Sequence, residues 1–165
     1  MLAALLTMSC GGKKVITVHG MGERVELGRI IYSVLEAEWR DRLGEGATAR
    51  LPSHQYLLIR VSVTNGSTRD FYVPQLTLVS PGGQEYQELS EFQAEEVPDW
   101  FGVLRKLTPA ETEARWIVFD APRGDYRLRV ADDELDPAEA KTALIEIPVR
   151  LVSVPTGSSL EKQMR

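Results

Sequence analysis

The clearest hydrophobic pattern lies in residues 55–65, where an apolar side chain recurs at every second position. Successive side chains of a β-strand point to opposite faces of the sheet, so this spacing predicts a half-buried strand. Asn65, Gly66 and Ser67 follow, and residues of these types favour turns. We therefore expect the central strand of a two-layer β-sandwich. Its predicted inward residues are Leu57, Ile59, Val61 and Val63.

A second long strand is predicted over residues 29–40, with Leu35, Ala37 and Trp39 facing inward. Its first half is apolar on both faces, which predicts either a register shift at a bulge or a segment covered on both sides. A helix over residues 34–43 is the alternative, but the β-branched and aromatic residues favour a strand. A short strand bracketed by glycines precedes it within residues 15–28.

The later half of the chain also has the spacing of strands. Residues 76–79 and 84–86 flank a turn rich in proline and glycine, which predicts a hairpin. Further strands are predicted over residues 112–120, 125–130 and 141–149. Tyr126, near the start of its strand, has the position of a tyrosine whose hydroxyl bonds to its own loop. The predicted inward residues of these strands are Ile117, Phe119, Tyr126, Leu128, Val130, Ala143, Ile145, Ile147 and Val149.

Residues 88–107 break the regular pattern because aromatic residues are scattered among carboxylates. We expect these aromatics to plug one end of the core, with a short helix as part of the segment. A loop that binds a partner protein through Trp100 and Phe101 is the alternative.

These elements together define the predicted architecture. Seven to eight strands separated by turns, without a long helix, predict an all-β, immunoglobulin-like antiparallel β-sandwich. The chain has 165 residues, of which 43% are hydrophobic, and this size fits one globular domain. We assign residues 1–14 to a lipoprotein signal remnant and linker, 15–150 to the sandwich and 151–165 to a polar tail.

The first residues resemble an export signal. Residues 1–8 form an apolar run too short to cross a bilayer. Cys10 follows Thr7-Met8-Ser9, and this arrangement resembles the processing box of bacterial lipoproteins, whose cysteine becomes the lipid-bearing N-terminus. The resemblance implies a membrane anchor on Cys10 and an extracytoplasmic location, in the periplasm or at the cell surface. An ordinary tail with an incidental cysteine is the alternative.

A second resemblance concerns the sandwich itself. Residues 23–28, 31–34 and 56–65 resemble the telokin-like, immunoglobulin-like domain family of bacterial lipoproteins and secreted antigens. Residues 107–111 and 117–122 match its later half, where the family tends to have glycine at the position of Ala110. The resemblance spans residues 20–149. It implies the fold and an envelope location, with no catalytic residue.

Charge narrows the choice of partners. The formal charge is -5 and the pI is about 5.2, and no cluster of lysine and arginine is present. Proteins that bind nucleic acid neutralise phosphates with such clusters, so nucleic acid is excluded as an expected partner. A single cysteine excludes an intrachain disulfide, so packing alone must stabilise the fold.

Two groups of residues are candidate metal ligands. His19 and Met21, with His54 as a further ligand, could bind Cu(I), because imidazole and thioether both suit that ion. Asp132, Asp133 and Asp136 lie in an acidic loop that could bind Ca²⁺, although it lacks the ligand order of an EF-hand. Coincidence and a solvated turn are the simpler interpretations. A carrier of copper, calcium or another small ligand is therefore the alternative function.

The sequence contains no set of residues typical of an enzyme. Nucleophilic hydrolysis needs a serine or cysteine beside a histidine, and the chain has only His19 and His54. A Gly-x-Ser-x-Gly elbow is also missing. We therefore predict a non-catalytic protein without a cofactor that contacts an envelope protein.

Overall fold

The structure is a computed structural model that describes residues 16–134, 136 and 138–150. Within these ranges the chain forms eleven strands and one short 3-10 helix, Gly46–Thr48. No helix in the same ranges is long and apolar enough to cross a membrane. The strands are β1 (Thr17–His19), β2 (Val25–Leu27), β3 (Ile30–Arg40), β4 (Gln55–Asn65), β5 (Phe71–Tyr72), β6 (Thr77–Val79), β7 (Glu85–Gln87), β8 (Lys106–Leu107), β9 (Thr112–Ala121), β10 (Tyr126–Ala131) and β11 (Thr142–Ile147).

Two main sheets face each other across the core. One has the strand order β1-β11-β10-β6-β7, the other has the order β2-β3-β4-β9, and β5 pairs with β8 as a separate ribbon. This arrangement confirms the predicted all-β sandwich. The strands outnumber the expected seven to eight because several segments of only two or three residues pair as separate strands.

Strand β4 lies at the centre of the four-stranded sheet, as predicted. It pairs antiparallel with β3 on one side and with β9 on the other. Its inward side chains are inaccessible to solvent and pack against the five-stranded sheet. These side chains are Leu57, Ile59, Val61 and Val63.

Strand β3 contains the predicted register shift. The shift falls between Val34 and Glu36, so Leu35 is the extra residue of a bulge. The prediction that Leu35 faces inward is therefore wrong, because its side chain is 43% exposed. Beyond the bulge Ala37 is buried and Trp39 packs against the core, as expected.

The outer face of the four-stranded sheet carries a second, smaller core. Tyr56, Leu58 and Val118 are buried there beneath the segment of residues 89–100. The aromatics of this segment therefore cover a sheet face, whereas we expected them to plug an end of the main core. The expected short helix is also missing from this part of the described chain. Leu89, Phe92, Val97 and Trp100 supply the cover.

The turn after β4 is fixed by Asn65, whose side chain is buried. Its amide nitrogen donates to the carbonyls of Arg69 (2.7 Å) and Leu107 (3.0 Å). The amide of Gly66 donates to the carbonyl of Arg29 at 2.8 Å, and a Cβ at position 66 would lie 2.8 Å from that oxygen. Only glycine fits so close to the neighbouring backbone. The turn thereby holds the residues that lead into β5.

Several predictions for the later half are confirmed. The hairpin is formed by β6 and β7, and the Tyr126 hydroxyl donates to the carbonyl of Pro122 at 2.6 Å. Ala110 has φ 65°, a left-handed conformation that glycine adopts more readily. This geometry agrees with the glycine preference of the family that the sequence resembles at this position.

The last and first strands differ from expectation. Strand β11 ends at Ile147, so Val149 lies beyond it and is only half-buried, with its amide donating to Asp125 at 2.7 Å. Strand β1 pairs with β11 in parallel, which makes it an exception to the antiparallel rule predicted for the sandwich. The chain therefore enters the five-stranded sheet at an outer edge.

Candidate functional site

The most exposed large apolar side chain in the described residues, that of Leu104, lies in the loop before β8, next to the exposed Val103; Leu51, in another loop, is 74% exposed. Leu104 is 88% exposed and Val103 is 53% exposed. Gly102, with φ 72°, allows the chain to turn sharply before them. We call Gly102, Val103 and Leu104 the 102–104 tip. An apolar side chain this exposed stays in water at a cost unless another surface covers it.

The segment before the tip is attached to the outer edge of β9. The amide of Trp116 donates to the carbonyl of Asp99 (3.0 Å), and the amide of Phe101 donates to the carbonyl of Trp116 (2.9 Å). Phe101 then inserts its ring into the main core. These contacts hold the N-terminal side of the tip against the four-stranded sheet.

The other side of the tip is held by Arg105, which is buried. Its guanidinium forms an ion pair with the buried carboxylate of Glu88 and donates to the carbonyls of Gly102 (2.6 Å) and Pro74 (3.3 Å). The second Glu88 oxygen accepts the amide of Leu76 at 3.1 Å. The guanidinium carbon also lies 5.0 Å from the centre of the Phe101 ring. The pair therefore ties the base of the tip to two other segments, one at residues 74–76 and one at Glu88.

Burial dominates the titration of the groups inside the sandwich. Desolvation raises the pKa of the Glu88 carboxyl, although the charge of Arg105 and two hydrogen bonds act in the opposite direction. Desolvation likewise raises the pKa of the Tyr32 hydroxyl, which donates to the carbonyl of Ala131 at 2.8 Å. It raises the pKa of Tyr126 to about 12. In each case the group has a structural partner in the core.

Polar pairs surround the exposed tip. Lys106 binds Asp70 at 2.7 Å, and Arg115 binds Glu113 at 2.7 Å. Tyr72, in register with Lys106 on the β5–β8 ribbon, is 62% exposed. A shallow depression of about 260 Å³ lies beside Leu104 and is lined in part by Arg115. An apolar centre with a polar rim is the usual anatomy of a protein interface.

Of the two predicted partner-loop residues, Trp100 is half-buried and Phe101 is buried. Trp100 packs against the second core, with its ring 5.4 Å from that of Phe92 in an edge-on arrangement. Phe101 is buried in the main core. Phe101 therefore offers little surface to a partner, whereas Trp100 is partly covered. The loop also exposes Val103 and Leu104, which the pattern of residues 88–107 does not distinguish from the apolar residues of the core.

The candidate copper ligands are not brought together. His19 lies within reach of Thr17 (3.2 Å) and Glu23 (3.3 Å), whereas His54 is 3.5 Å from Asp120. Met21 lies near the middle of β3, because the backbone amide of the next residue, Gly22, donates to the carbonyl of Val34. Val34 is paired with Val61 on β4. Val61 is seven residues along β4 from His54, or roughly 23 Å at the rise of a strand. His54 therefore cannot share an ion with Met21.

The acidic loop uses its carboxylates for its own turns. Asp132 accepts the amide of Lys141 at 3.0 Å, and Asp136 accepts the amide of Ala138 at 2.8 Å. Asp133 lies with Asp132 on the wall of a groove of about 580 Å³. Across the described ranges, no group of three or more histidine, cysteine or carboxylate side chains is arranged to hold a metal ion.

The remaining predicted site residue is Cys10. Cys10, the predicted lipid-attachment residue, is outside the described residues, as are residues 1–14 as a whole and the tail of residues 151–165. The lipid anchor therefore stays a prediction.

The fold and the exposed tip define a β-sandwich domain with a candidate protein-contact surface. The chain belongs to the family described as "Domain of unknown function (DUF4352)", which matches residues 19–140. No curated protein matches the chain.

Solved structures of similar fold come from several bacteria. The yjhA protein of Bacillus subtilis is 15% identical over 77% of this chain and 99% of its own, with a TM-score of 0.57. An uncharacterized beta-sandwich protein from Clostridium difficile is 11% identical over 85% and 99%, with a TM-score of 0.55. A functionally unknown protein from Listeria monocytogenes is 10% identical over 78% and 83%, with a TM-score of 0.59. At these identities the likeness shows the fold alone.

The buried ion pair gives a test of how the tip is held. Replacing Arg105 by Met leaves the Glu88 carboxylate buried without its cation, so we expect a loss of about 3–5 kcal/mol in the free energy of unfolding. Adding Glu88→Leu to the same chain removes the unpaired charge and should recover most of that loss. Urea denaturation of both variants measures the two differences.

Lys106→Met is the matched control for this test, because it breaks the exposed ion pair between Lys106 and Asp70 at the position next to Arg105. It should change the free energy of unfolding far less than Arg105→Met does. Equal losses in Arg105→Met and Lys106→Met would contradict the role given to the buried pair.

Proposed function

We propose that this protein is a lipid-anchored, extracytoplasmic, immunoglobulin-like domain that contacts a protein of the cell envelope through the 102–104 tip. The observation that carries the proposal is the 88% exposure of Leu104 on a loop whose base is fixed by the buried Arg105–Glu88 pair. The tip loses little conformational freedom on binding because its base is already ordered. The domain acts by binding and performs no catalysis.

The anchor is supported by the sequence around Cys10. An apolar run precedes this cysteine, and Gly11-Gly12-Lys13-Lys14 separates it from the sandwich. Seven residues lead from Cys10 to Thr17, the start of β1, and they can span at most about 24 Å. A lipid on Cys10 would therefore hold the domain close to the membrane surface, in the periplasm or outside the cell.

The kinship with telokin-like, immunoglobulin-like domains is supported by local structure. The bond from the Tyr126 hydroxyl to Pro122 has the form of a tyrosine corner. The facing sheets of four and five strands add the sandwich architecture of such domains.

A binding role is supported by how the chain uses its reactive groups. Among the groups with raised pKa values, Glu88, Tyr32 and Tyr126 each make a structural hydrogen bond within the fold. His54 lies beside the carboxylate of Asp120, which accepts the backbone amides of Ser53 (2.6 Å) and His54 (2.8 Å). That carboxylate fixes the start of β4, and the exposed apolar tip is left as the feature suited to a partner.

The anchor predicts a definite covalent state. The protein isolated from its native membranes should begin at Cys10 and carry two or three acyl chains, which together give stable anchoring. Intact mass spectrometry measures this state directly, and a Cys10→Ser variant should lose the added mass and leave the membrane fraction. An unmodified chain that still begins at Met1 would contradict the anchor.

The contact surface predicts a position-dependent crosslink. A photoreactive amino acid at position 104, introduced into the anchored protein, should give one discrete adduct with an envelope protein. The same group at position 26, an exposed site on β2, is the control and should give no such adduct.

Purified soluble domain should compete for the adduct, whereas its Leu104→Asp variant should not, because burying a carboxylate in an apolar contact is costly. No adduct at position 104, or equal adducts at both positions, would contradict the proposed contact.

A further inference from the structure

The pairing of β5 with β8 continues one residue further along both segments. The two strands are antiparallel, and beyond them the amide of Val73 donates to the carbonyl of Arg105 at 2.9 Å. Residues 71–74 and 104–107 therefore run side by side in opposite directions. We call these two segments together the extended ribbon.

Burial alternates along the extended ribbon, because successive side chains of a strand point to opposite faces. Its inner face is buried and consists of Phe71, Val73, Arg105 and Leu107. Its outer face is exposed and consists of Tyr72, Pro74, Leu104 and Lys106. The Leu104 side chain of the tip is therefore one member of a larger exposed face.

The outer face of the extended ribbon is mostly apolar. Tyr72 is 62% exposed and Leu104 is 88% exposed. Pro74 lies opposite Leu104 when the register of the two strands is continued. Lys106 has its charge balanced by Asp70 at 2.7 Å, so its aliphatic stem can be covered without leaving an unpaired cation. Contiguous exposed apolar surface marks interaction sites, and tyrosine is enriched among the residues that dominate binding energy.

We propose that Tyr72 is the second anchor of the contact made by the 102–104 tip, and that the partner covers the outer face of the extended ribbon from Leu104 to Tyr72. The inference deepens the proposed function and rests on it. It requires a partner with an apolar surface broad enough to reach both side chains. The spacing of the two anchors is fixed in advance, because the inner face of the ribbon is buried, and a preorganised surface loses little freedom on binding.

Charge at one border of this face adds to the description of the partner. Tyr72 and Pro74 also line the groove of about 580 Å³ that the acidic loop borders. Once Asp70 is balanced by Lys106, three carboxylates of this groove remain against the single guanidinium of Arg69. Complementary charge at the rim of an interface favours the correct orientation of the partner. The partner therefore has an apolar surface with lysine or arginine on the side that meets Tyr72. The three carboxylates are those of Asp132, Asp133 and Glu134.

Crosslinking at a second position tests the extent of the contact. A photoreactive amino acid in place of Tyr72, in the anchored protein, should give an adduct with the same envelope protein that position 104 captures. Position 51 is the matched control, because Leu51 is 74% exposed and precedes the start of β4, at the opposite end of that strand from the turn into β5. It should give no adduct with that protein, and equal adducts at positions 72 and 51 would overturn the proposal.

Competition measures what the Tyr72 ring contributes. The full chain carrying Cys10→Ser serves as the soluble competitor for the adduct at position 104. Adding Tyr72→Ala should raise the competitor concentration needed by at least about tenfold, as expected for a dominant interface residue. Tyr72→Phe keeps the ring and should compete like the parent chain, as should the control Leu51→Ala. Undiminished competition by Tyr72→Ala, or an equal loss in Tyr72→Phe, would overturn the role of the ring.

The same competition tests the basic border of the partner. Asp133→Asn should raise the competitor concentration needed, whereas Glu26→Gln, which removes an exposed carboxylate from β2, should leave it unchanged. Unchanged or improved competition by Asp133→Asn would overturn the basic border.

The outcomes separate this inference from the proposed function. An adduct at position 104 without one at position 72 overturns the inference and leaves the proposed function standing. The lack of any adduct at position 104 overturns both.

Discussion

The burial of β4 is the constraint on which the rest of the structure depends: its inner face is buried along its length, and its outer face is buried at Tyr56 and Leu58, where a half-buried strand was predicted. Its inner face supplies four side chains to the main core, and its outer face supplies Tyr56 and Leu58 to the second core. Removing a buried isoleucine or leucine side chain costs about 2–5 kcal/mol, and a domain has only about 5–15 kcal/mol of net stability. The strands and segments that cover β4 must therefore fold together with it.

The candidate contact surface is a consequence of that cover. The segment that packs Phe92 and Trp100 over the outer face continues along the edge of β9 and buries Phe101. The chain then has to return to β8, and the Arg105–Glu88 pair fixes the point of return. Between these two attachments Val103 and Leu104 have no surface of their own protein to cover them, which leaves them available to a partner.

Local sequence signals predicted the elements that depend on neighbouring residues. The alternation in residues 55–65 predicted β4 with its observed bounds. The doubly apolar start of β3 predicted either a bulge or a segment covered on both sides, and the structure has the bulge. The position of Tyr126 predicted a bond to its own loop, which Pro122 accepts. Contacts between distant segments were not predicted. The parallel pairing of β1 with β11 and the Arg105–Glu88 pair join residues whose spacing in the sequence carries no periodic signal. Leu35, Trp100 and Leu104 are all apolar, so only tertiary contacts decide which of them is exposed.

The central claim is that β4 organises both cores, and native-state hydrogen exchange of its backbone amides tests this claim most directly. Amides of β4 bonded to β3 or β9 should open only when the whole domain unfolds, so they should be among the slowest to exchange. Amides of the short outer strands, such as β1 and β5, should exchange faster through local opening. Exchange of the β4 amides as fast as that of β1 and β5 would contradict the account.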